Sequence, residues 1–336
     1  MATTTSSLFE RKPRDARGEA PGHTSSMINQ EMTGREWTIL LFLAVIWGGA
    51  FLFIGIAVRH VEPLTYVWLR LTIAAGAMWL FLKLRGGKLG LPREVWGSIL
   101  LLALLNNALP FTLFGWGQTH IASGLASILN ATTPIWGVLV AHLFTQDERM
   151  SPRKVAGVLL GFGGVATMIG PTLLADVGTD ALAQLACIMA SLSYAIAAVW
   201  ARRFRRMGLS PLSVTTGQLS AGALIMLPMA IFIDQPWTQP LPPLSAWAAI
   251  AALAVFCTAL GYVLYFRLID SAGATNALMV TLLVPPFAIL FGSLFLDEVL
   301  APQDFAGLAL IALGLAAIDG RVLRKLRLYR AVTALR

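Results

Sequence analysis

Residues 147–170, DERMSPRKVAGVLLGFGGVATMIG, decide how the chain is organised, because they recur as residues 297–320, DEVLAPQDFAGLALIALGLAAIDG. Residues that are identical 150 positions later include Asp147, Glu148, Pro152, Ala156, Gly157, Gly164 and Gly170. At an offset of 151, Trp96, Ile99, Ala103, Ala108, Ala126 and Pro134 match Trp247, Ile250, Ala254, Ala259, Ala277 and Pro285. Pro63 also pairs with Pro211. Self-similarity at a fixed offset indicates an internal repeat, here with two halves of roughly 140 residues.

The composition indicates an integral membrane protein. Of 336 residues, 57% are hydrophobic and 12% charged, and the mean hydropathy is +0.73. A helix crosses a bilayer core with about 20 apolar residues, and no run alternates like a barrel strand. The sequence predicts an all-α protein with ten transmembrane helices, at 37–58, 64–84, 95–116, 122–143, 154–169, 181–200, 212–233, 245–269, 273–295 and 305–318.

The distribution of charge explains the formal net charge of +8. If the N-terminus is cytoplasmic, all but two of the 25 basic residues fall on the inner side of the membrane. The exceptions are Arg59 in an outer loop and Arg70 within a span. This asymmetry follows the positive-inside rule. The net charge is therefore explained by the orientation of the protein in the membrane and by contact with lipid, and nucleic-acid binding is disfavoured.

The domain organisation follows from the repeat and the flanking composition. Residues 1–35 are polar and predict a disordered cytosolic tail; 36–171 form the first repeat, 181–320 the second, and 321–336 a basic cytosolic tail. Cys187 and Cys257 both fall within predicted spans, so no disulfide framework is implied. The close glycines of the fifth and tenth spans indicate helix packing, within the protomer or between protomers.

The number of spans predicts an inverted arrangement of the repeats. Each repeat has five spans, an odd number, so the second repeat enters the membrane from the opposite side. Inverted repeats are typical of carriers that alternate access around a site near the bilayer midplane. Glu148 and Glu298 then lie on opposite faces, each expected to cap the start of the following helix, with pseudo-symmetric gating as the alternative.

Prolines predict breaks in two spans. Pro134 frees the carbonyl of Asn130, and Pro285 with Pro286 frees those of Thr281 and Leu282. Irregular polar backbone at membrane depth is tolerated where it lines a cavity. Arg70, also within a span, has two possible roles: a functional charge or a side chain that snorkels to the interface.

The chain resembles the EamA-type repeat of the drug/metabolite transporter (DMT) superfamily. The residues that carry the resemblance are Trp47-Gly48, Pro63, Arg70, Ala126, Pro134, Glu148, Gly157 and Gly164, and in the second half Pro211, Ala277, Pro285, Glu298, Gly307 and Gly314. It covers almost everything from Trp37 to Gly320 and departs at Tyr194 and Gln218, which replace Trp47 and Arg70 in the second copy. The resemblance implies two inverted five-helix repeats around a cavity lined by the first, third, fourth, sixth, eighth and ninth helices, and bacterial exporters of amino acids and related metabolites are among its members.

The candidate substrate-binding residues are the polar and aromatic side chains on those cavity helices. They are Trp47, Asn106, Asn107, Gln118, Asn130, Thr133, Tyr194, Tyr262, Tyr265, Asn276 and Thr281. Amides with aromatic faces suit zwitterionic or weakly polar solutes. We expect an exporter of amino acids or related small metabolites in the bacterial inner membrane, with both termini cytoplasmic, no cofactor or metal, and a monomeric or weakly dimeric state.

Several alternatives stay open at this stage. Within the superfamily, the runner-up is a drug or other small-solute efflux carrier. No midplane acid is present for proton coupling, so transport uses His142 or bound water, or is passive along the solute gradient, which the sequence slightly favours. A membrane-embedded enzyme would need a nucleophile with a base, or a metal cluster. A structural membrane protein would not need an inverted duplication.

Overall fold

All regular elements that the computed structural model describes are helices; it describes residues 32–144, 151–169, 179–277 and 279–319. The helices are α1 (Gly34–Ala57), α2 (Pro63–Leu84), α3 (Arg93–Gly117), α4 (Ser123–Phe144), α5 (Pro152–Ile169), α6 (Thr179–Arg206), α7 (Pro211–Asp234), α8 (Leu244–Ala272), α9 in two parts (Ala274–Ala277 and Val280–Leu296) and α10 (Pro302–Asp319). A 3₁₀ turn, Pro236–Thr238, precedes α8.

Seven of the helices in these ranges are long and apolar enough to cross a membrane: α1 to α4 and α6 to α8. The apolar segments of the other three are shorter, at Lys154–Thr167, Leu283–Leu296 and Pro302–Ile318. The multi-pass, all-helical class is therefore as predicted, while length and composition give seven spans in the described part of the chain instead of ten.

The first helix begins earlier than the sequence predicts. Thr33 and Glu36 form a capping box, in which each side chain bonds the backbone of the other residue. This arrangement satisfies amides at the start of a helix, and α1 therefore begins at Gly34, inside the tail predicted at 1–35. The rest of that predicted tail up to residue 31, and the predicted tail at 321–336, lie outside the described residues.

Segments of π-helix occur at equivalent places in the two repeats. One covers Leu104–Ala108 within α3 and another covers Leu253–Leu260 within α8. A third ends α7 at Ala230–Asp234. A π turn holds more residues than an α turn and is frequent at functional sites. The segments in α3 and α8 overlap when the offset of 151 is applied, so this irregularity belongs to the duplicated unit.

Helices α4 and α9 are interrupted, but the interruption in α9 is not where the prolines predict it. In α4 the turn is at Ala131 and Thr132, two residues before Pro134. In α9 the second part runs without a break from Val280 to Leu296, through both Pro285 and Pro286. The helix thus continues through two residues that lack an amide donor, and the interruption of α9 lies at the turn around Met279, before the prolines.

The helices pack in a pattern that exchanges the two repeats. Helix α1 contacts α8 and α9, while α6, its equivalent, contacts α3 and α4. The remaining equivalent helices pair with each other, α2 with α7 and α5 with α10. The largest buried apolar cluster accordingly draws on both repeats, with members such as Leu43, Ile135 and Ala288. This reciprocity is what a two-fold relation between the repeats produces.

The contact between α5 and α10 shows that these equivalent helices are antiparallel. A methyl group at Gly157 would lie 2.5 Å from the carbonyl oxygen of Gly314, and one at Gly164 would lie 2.7 Å from that of Gly307. The earlier glycine of each helix thus meets the later glycine of the other. Small residues allow this close backbone approach, and the glycines pack within one protomer, one of the two possibilities that the sequence leaves open.

Candidate substrate-binding site

A cluster of hydrogen-bonded side chains lies where α3, α7 and α8 meet. We call Asn106, Asn107, Gln218 and Tyr262 the amide–tyrosine cluster. The Asn106 Nδ2 atom donates to Gln218 Oε1 at 3.2 Å and to Tyr262 Oη at 3.1 Å. The Asn107 Nδ2 atom donates to the same hydroxyl at 3.3 Å. These bonds join α3 of the first repeat to two helices of the second.

The π segment of α3 explains how two consecutive asparagines reach one hydroxyl. Neighbouring residues of a regular α-helix point about 100° apart, and the wider π turn reduces that angle because more residues share each turn. Asn107 is fully buried, and its Oδ1 atom has no hydrogen-bond partner. A buried acceptor left without a donor costs about 1–3 kcal/mol. Such a group in a native structure points to a functional role.

Arg70 brings a positive charge close to this cluster. Its Nε atom donates to Thr258 Oγ1 at 3.0 Å, and Thr258 lies one helical turn before Tyr262 on α8. The guanidinium carbon lies 3.5 Å from the centre of the Phe111 ring, in a cation–π contact. Arg70 is buried, so the snorkelling interpretation does not fit. Its position holds α2 against α3 and α8.

Aromatic side chains lie on the helices next to the cluster. The Trp47 and Tyr265 rings are 5.2 Å apart between centroids, and the Trp47 Nε1 atom donates to the carbonyl of Cys257 at 3.1 Å. Tyr194 stacks on Phe114 with a centroid separation of 6.1 Å. Trp47, Tyr194 and Tyr265 are all half-buried. Each presents an aromatic surface on α1, α6 or α8, the helices that exchange contacts between the repeats.

Four of the predicted residues lie at the interruptions of α4 and α9. The Thr133 Oγ1 atom donates to the carbonyl oxygen of Asn130 at 2.7 Å, the carbonyl that Pro134 was expected to free. The Asn276 Nδ2 atom donates to the carbonyl of Ala272 at 2.8 Å. Thr281 follows the turn of α9 as its second residue after Met279. Thr133 therefore satisfies backbone at the interruption of α4, and Asn276 satisfies a carbonyl at the end of α8.

Gln118 and Glu298 belong to a different place in the fold. Gln118 lies eleven residues after Asn107, about 16 Å further along α3. The Glu298 carboxylate accepts from the Ser123 amide at 2.7 Å, the Ser123 hydroxyl at 2.8 Å and the Gly124 amide at 3.2 Å. It thus caps α4 of the other repeat, and the expectation that it caps the following helix is wrong. Asp304 takes that role by accepting from the Ala301 amide at 2.9 Å.

Two further comparisons with the sequence prediction concern residues that were not among the predicted substrate-binding residues. Glu148, expected to act as a cap or gate, lies outside the described residues. Gln218 accepts a hydrogen bond from the predicted residue Asn106, and Thr258, which binds Arg70, lies one turn before the predicted residue Tyr262. None of these three was among the substrate-binding residues predicted from the sequence. The available signal was their polarity within spans, which marks any such residue as a candidate.

Within the described ranges, no group of three or more His, Cys, Asp or Glu residues could hold a metal ion.

The family model of the "EamA-like transporter family" matches residues 36–170 and again residues 181–318. The chain belongs to the EamA-like transporter family. It is therefore a multi-pass membrane transporter of the DMT type, acting on a small molecule within a lipid bilayer.

Relatives of this EamA-like transporter support the same assignment. The chain is 25% identical to the "Uncharacterized transporter YoaV" of Bacillus subtilis, over 82% of this chain and 94% of that protein. It is 27% identical to the "Probable terminal-alkyne amino-acid exporter" of Streptantibioticus cattleyicolor, over 87% of this chain and 95% of that protein. A solved structure, described only as the crystal structure of a protein, shares the fold with a TM-score of 0.61 at 19% identity, covering 84% of this chain and 97% of that one.

Proposed function

We propose that this transporter exports amino acids or related small metabolites by alternating access, with the amide–tyrosine cluster as part of its substrate site. The observation that carries the proposal is that the cluster joins the two repeats through partly buried hydrogen bonds between α3, α7 and α8. A site at the repeat interface changes its surroundings when the repeats rock against each other. Exposure of such a site to alternate sides follows from that motion.

The proposed topology has ten spans in two inverted repeats. The antiparallel contact of α5 with α10 supports inversion, and α5, α9 and α10 would be the short spans. The basic residues on the loops and tails support a cytoplasmic location for both termini. The transporter would lie in the inner membrane of a bacterium as a monomer or weak homodimer.

The chemistry of the site supports a zwitterionic or weakly polar substrate. The cluster offers amide donors and acceptors, including the unpartnered Oδ1 atom of Asn107. The Trp47 and Tyr265 rings offer faces for an ammonium group. Arg70 adds a positive charge one turn from Tyr262. The exporter from Streptantibioticus cattleyicolor, which is named for an amino acid, favours this substrate class over unrelated drugs.

Counterflow tests the proposal. Purified protein is reconstituted into liposomes preloaded with an unlabelled amino acid, and uptake of the labelled amino acid is followed with and without an imposed proton gradient. We expect exchange without the gradient, and loss of exchange in Tyr262→Phe, which removes the hydroxyl that accepts from both asparagines. Absence of exchange across the common amino acids, in protein that elutes as a single folded species, would overturn amino-acid export and favour other solutes.

A further inference from the structure

A polar pocket lies between the ends of α1 and α3, the start of α4 and the loop from α9 to α10. Its volume is about 330 Å³, and the residues that matter for its chemistry are Gly55, Arg59, Gln118, His120, Leu296 and Glu298. Ligand clefts typically have volumes of roughly 300–1,000 Å³, so this pocket can hold one small molecule. It is separated along α3 from the amide–tyrosine cluster, and nothing in the proposed mechanism uses it.

Gln118 is the group in this pocket that points most directly to a ligand. Its side chain is 8% exposed, and neither its Nε2 nor its Oε1 atom has a hydrogen-bond partner. Buried side-chain amides are normally satisfied, and leaving one unpaired costs free energy. One free donor and one free acceptor on the same amide can bind a ligand that itself carries both an acceptor and a donor.

Glu298 supplies negative charge to the same pocket. The three hydrogen bonds that its carboxylate accepts all come from Ser123 and Gly124, and among the described residues no Lys, Arg or His forms an ion pair with it. A carboxylate has about four lone-pair positions for donors, so it can accept a further bond from an ammonium group. The α4 amides hold the carboxylate in place without neutralising its charge.

Arg59 supplies positive charge at the wall of the pocket, and His120 lies beside it. Both side chains are exposed at its mouth, where the guanidinium can bind a carboxylate through two donors. Gly55 leaves room beside the buried amide, since a methyl group there would lie 3.6 Å from Gln118 Oε1 and 3.0 Å from Leu296 Cδ1. Negative charge, positive charge and a neutral donor–acceptor amide therefore line one small volume.

We propose that this pocket is a second substrate subsite that binds the ammonium and carboxylate groups of an α-amino acid. Glu298 and Gln118 Oε1 receive the ammonium group, while Arg59 and Gln118 Nε2 bind the carboxylate. The substrate class rests on the proposed function, but the subsite has its own residues. It lies on the face that carries Arg59, which the inner location of nearly all other basic residues predicts to be the outside, where an exported amino acid leaves the protein.

The test is protection of an introduced thiol in the full-length protein in nanodiscs, where both faces are accessible. Thr119→Cys places a thiol at an exposed position on the pocket wall, and Cys187 and Cys257 are buried. The rate of maleimide labelling is measured alone and with L-leucine. It is also measured with isocaproate, which lacks the ammonium group, and with isoamylamine, which lacks the carboxylate.

We expect L-leucine to slow labelling at least tenfold and the two truncated analogues to leave the rate nearly unchanged. Gln118→Leu should abolish protection, and Glu298→Gln, which keeps the shape but removes the charge, should weaken it strongly. Gln184→Leu is the matched control, because Gln184 Oε1 is also buried and unpartnered but lies on α6 outside the pocket.

Equal labelling rates with and without L-leucine would overturn the subsite. Protection by both analogues that equals the protection by L-leucine would overturn it as well. Counterflow of L-leucine in the same preparation separates this result from failure of the proposed function. Exchange without protection removes the subsite and keeps the exporter. Protection without exchange supports the subsite as a binding site and argues against amino-acid export.

Discussion

At the scale of single residues, Asn107 combines complete burial with an unsatisfied acceptor. A group that costs stability in the resting protein and persists in the core is expected to serve the transported solute. We predict that Asn107→Leu keeps or raises the melting temperature, because an apolar group of similar shape removes a penalty of about 1–3 kcal/mol. We also predict at least a tenfold loss of counterflow. Tyr262 retains its bond from Asn106 in this variant.

Fluorescence-monitored thermal unfolding and counterflow, measured on the same preparation, check this prediction. Gln184→Leu again serves as the control, since it removes a buried, unpartnered amide oxygen outside the site and should leave counterflow unchanged. If Asn107→Leu lowered the melting temperature in proportion to the loss of transport, Asn107 would be a packing residue. Unchanged counterflow would remove it from the site.

At the scale of helices, the sequence identified the elements better than their irregularities. The turn in α4 next to Pro134 was predictable, because proline removes an amide donor and clashes with the preceding turn. The π segment at Leu104–Ala108 was not, because its residues keep the same apolar pattern as a regular helix. Without it, Asn106 and Asn107 would not be expected to share the Tyr262 hydroxyl.

The partner of Glu298 was also beyond the reach of the sequence. Its position just before α10 suggested a local cap, which is the commonest use of a carboxylate there. The carboxylate instead crosses to Ser123, 175 positions away in the chain. Gly292 makes this possible, because a methyl group there would overlap the Glu298 carboxylate and the Ser123 hydroxyl. Only the packing of α9 against α4 brings these residues together.

Two adjacent glycines of α5 provide a matched pair for testing the contact with α10. A methyl group at Gly164 would lie 2.7 Å from the Gly307 carbonyl and 3.1 Å from the Ile311 amide, both backbone atoms. At Gly163 it would meet nothing within 4 Å. We predict that Gly164→Ala lowers the melting temperature by forcing the helices apart, at a cost of roughly 1–3 kcal/mol.

Gly163→Ala is expected to keep or raise the melting temperature, because alanine favours the helix over glycine by about 1 kcal/mol. Thermal unfolding of both variants in the same detergent gives the comparison. Equal melting temperatures for the two variants would show that α5 and α10 do not meet as closely as the structure has them. The interpretation of α5 and α10 as an antiparallel pair would then lose its support.

At the scale of the whole molecule, the reciprocal packing of the two repeats gives the transporter two equivalent ends. At one end, Glu298 ties the loop from α9 to α10 of the second repeat to the start of α4 in the first. Opening that end requires these hydrogen bonds to break. The bonds within the amide–tyrosine cluster also cross between the repeats. If the repeats rock against each other as proposed, contacts at the site and at this end would be remade together, and solute release would be coupled to opening.

Inversion of the repeats makes a prediction about two loops that are equivalent in sequence. Pro63 and Pro211 correspond, so His60, just before α2, and Met207, just before α7, lie in matching connections and are both exposed. Inverted repeats would put these connections on opposite faces of the membrane, and the basic residues near Met207 predict that it lies on the inner face. An impermeant maleimide on intact cells should label His60→Cys and leave Met207→Cys unlabelled until the membrane is permeabilised.

The unsubstituted protein gives the background, since Cys187 and Cys257 are buried. Labelling of both thiols in intact cells would contradict inversion, and labelling of Met207→Cys alone would reverse the assigned orientation.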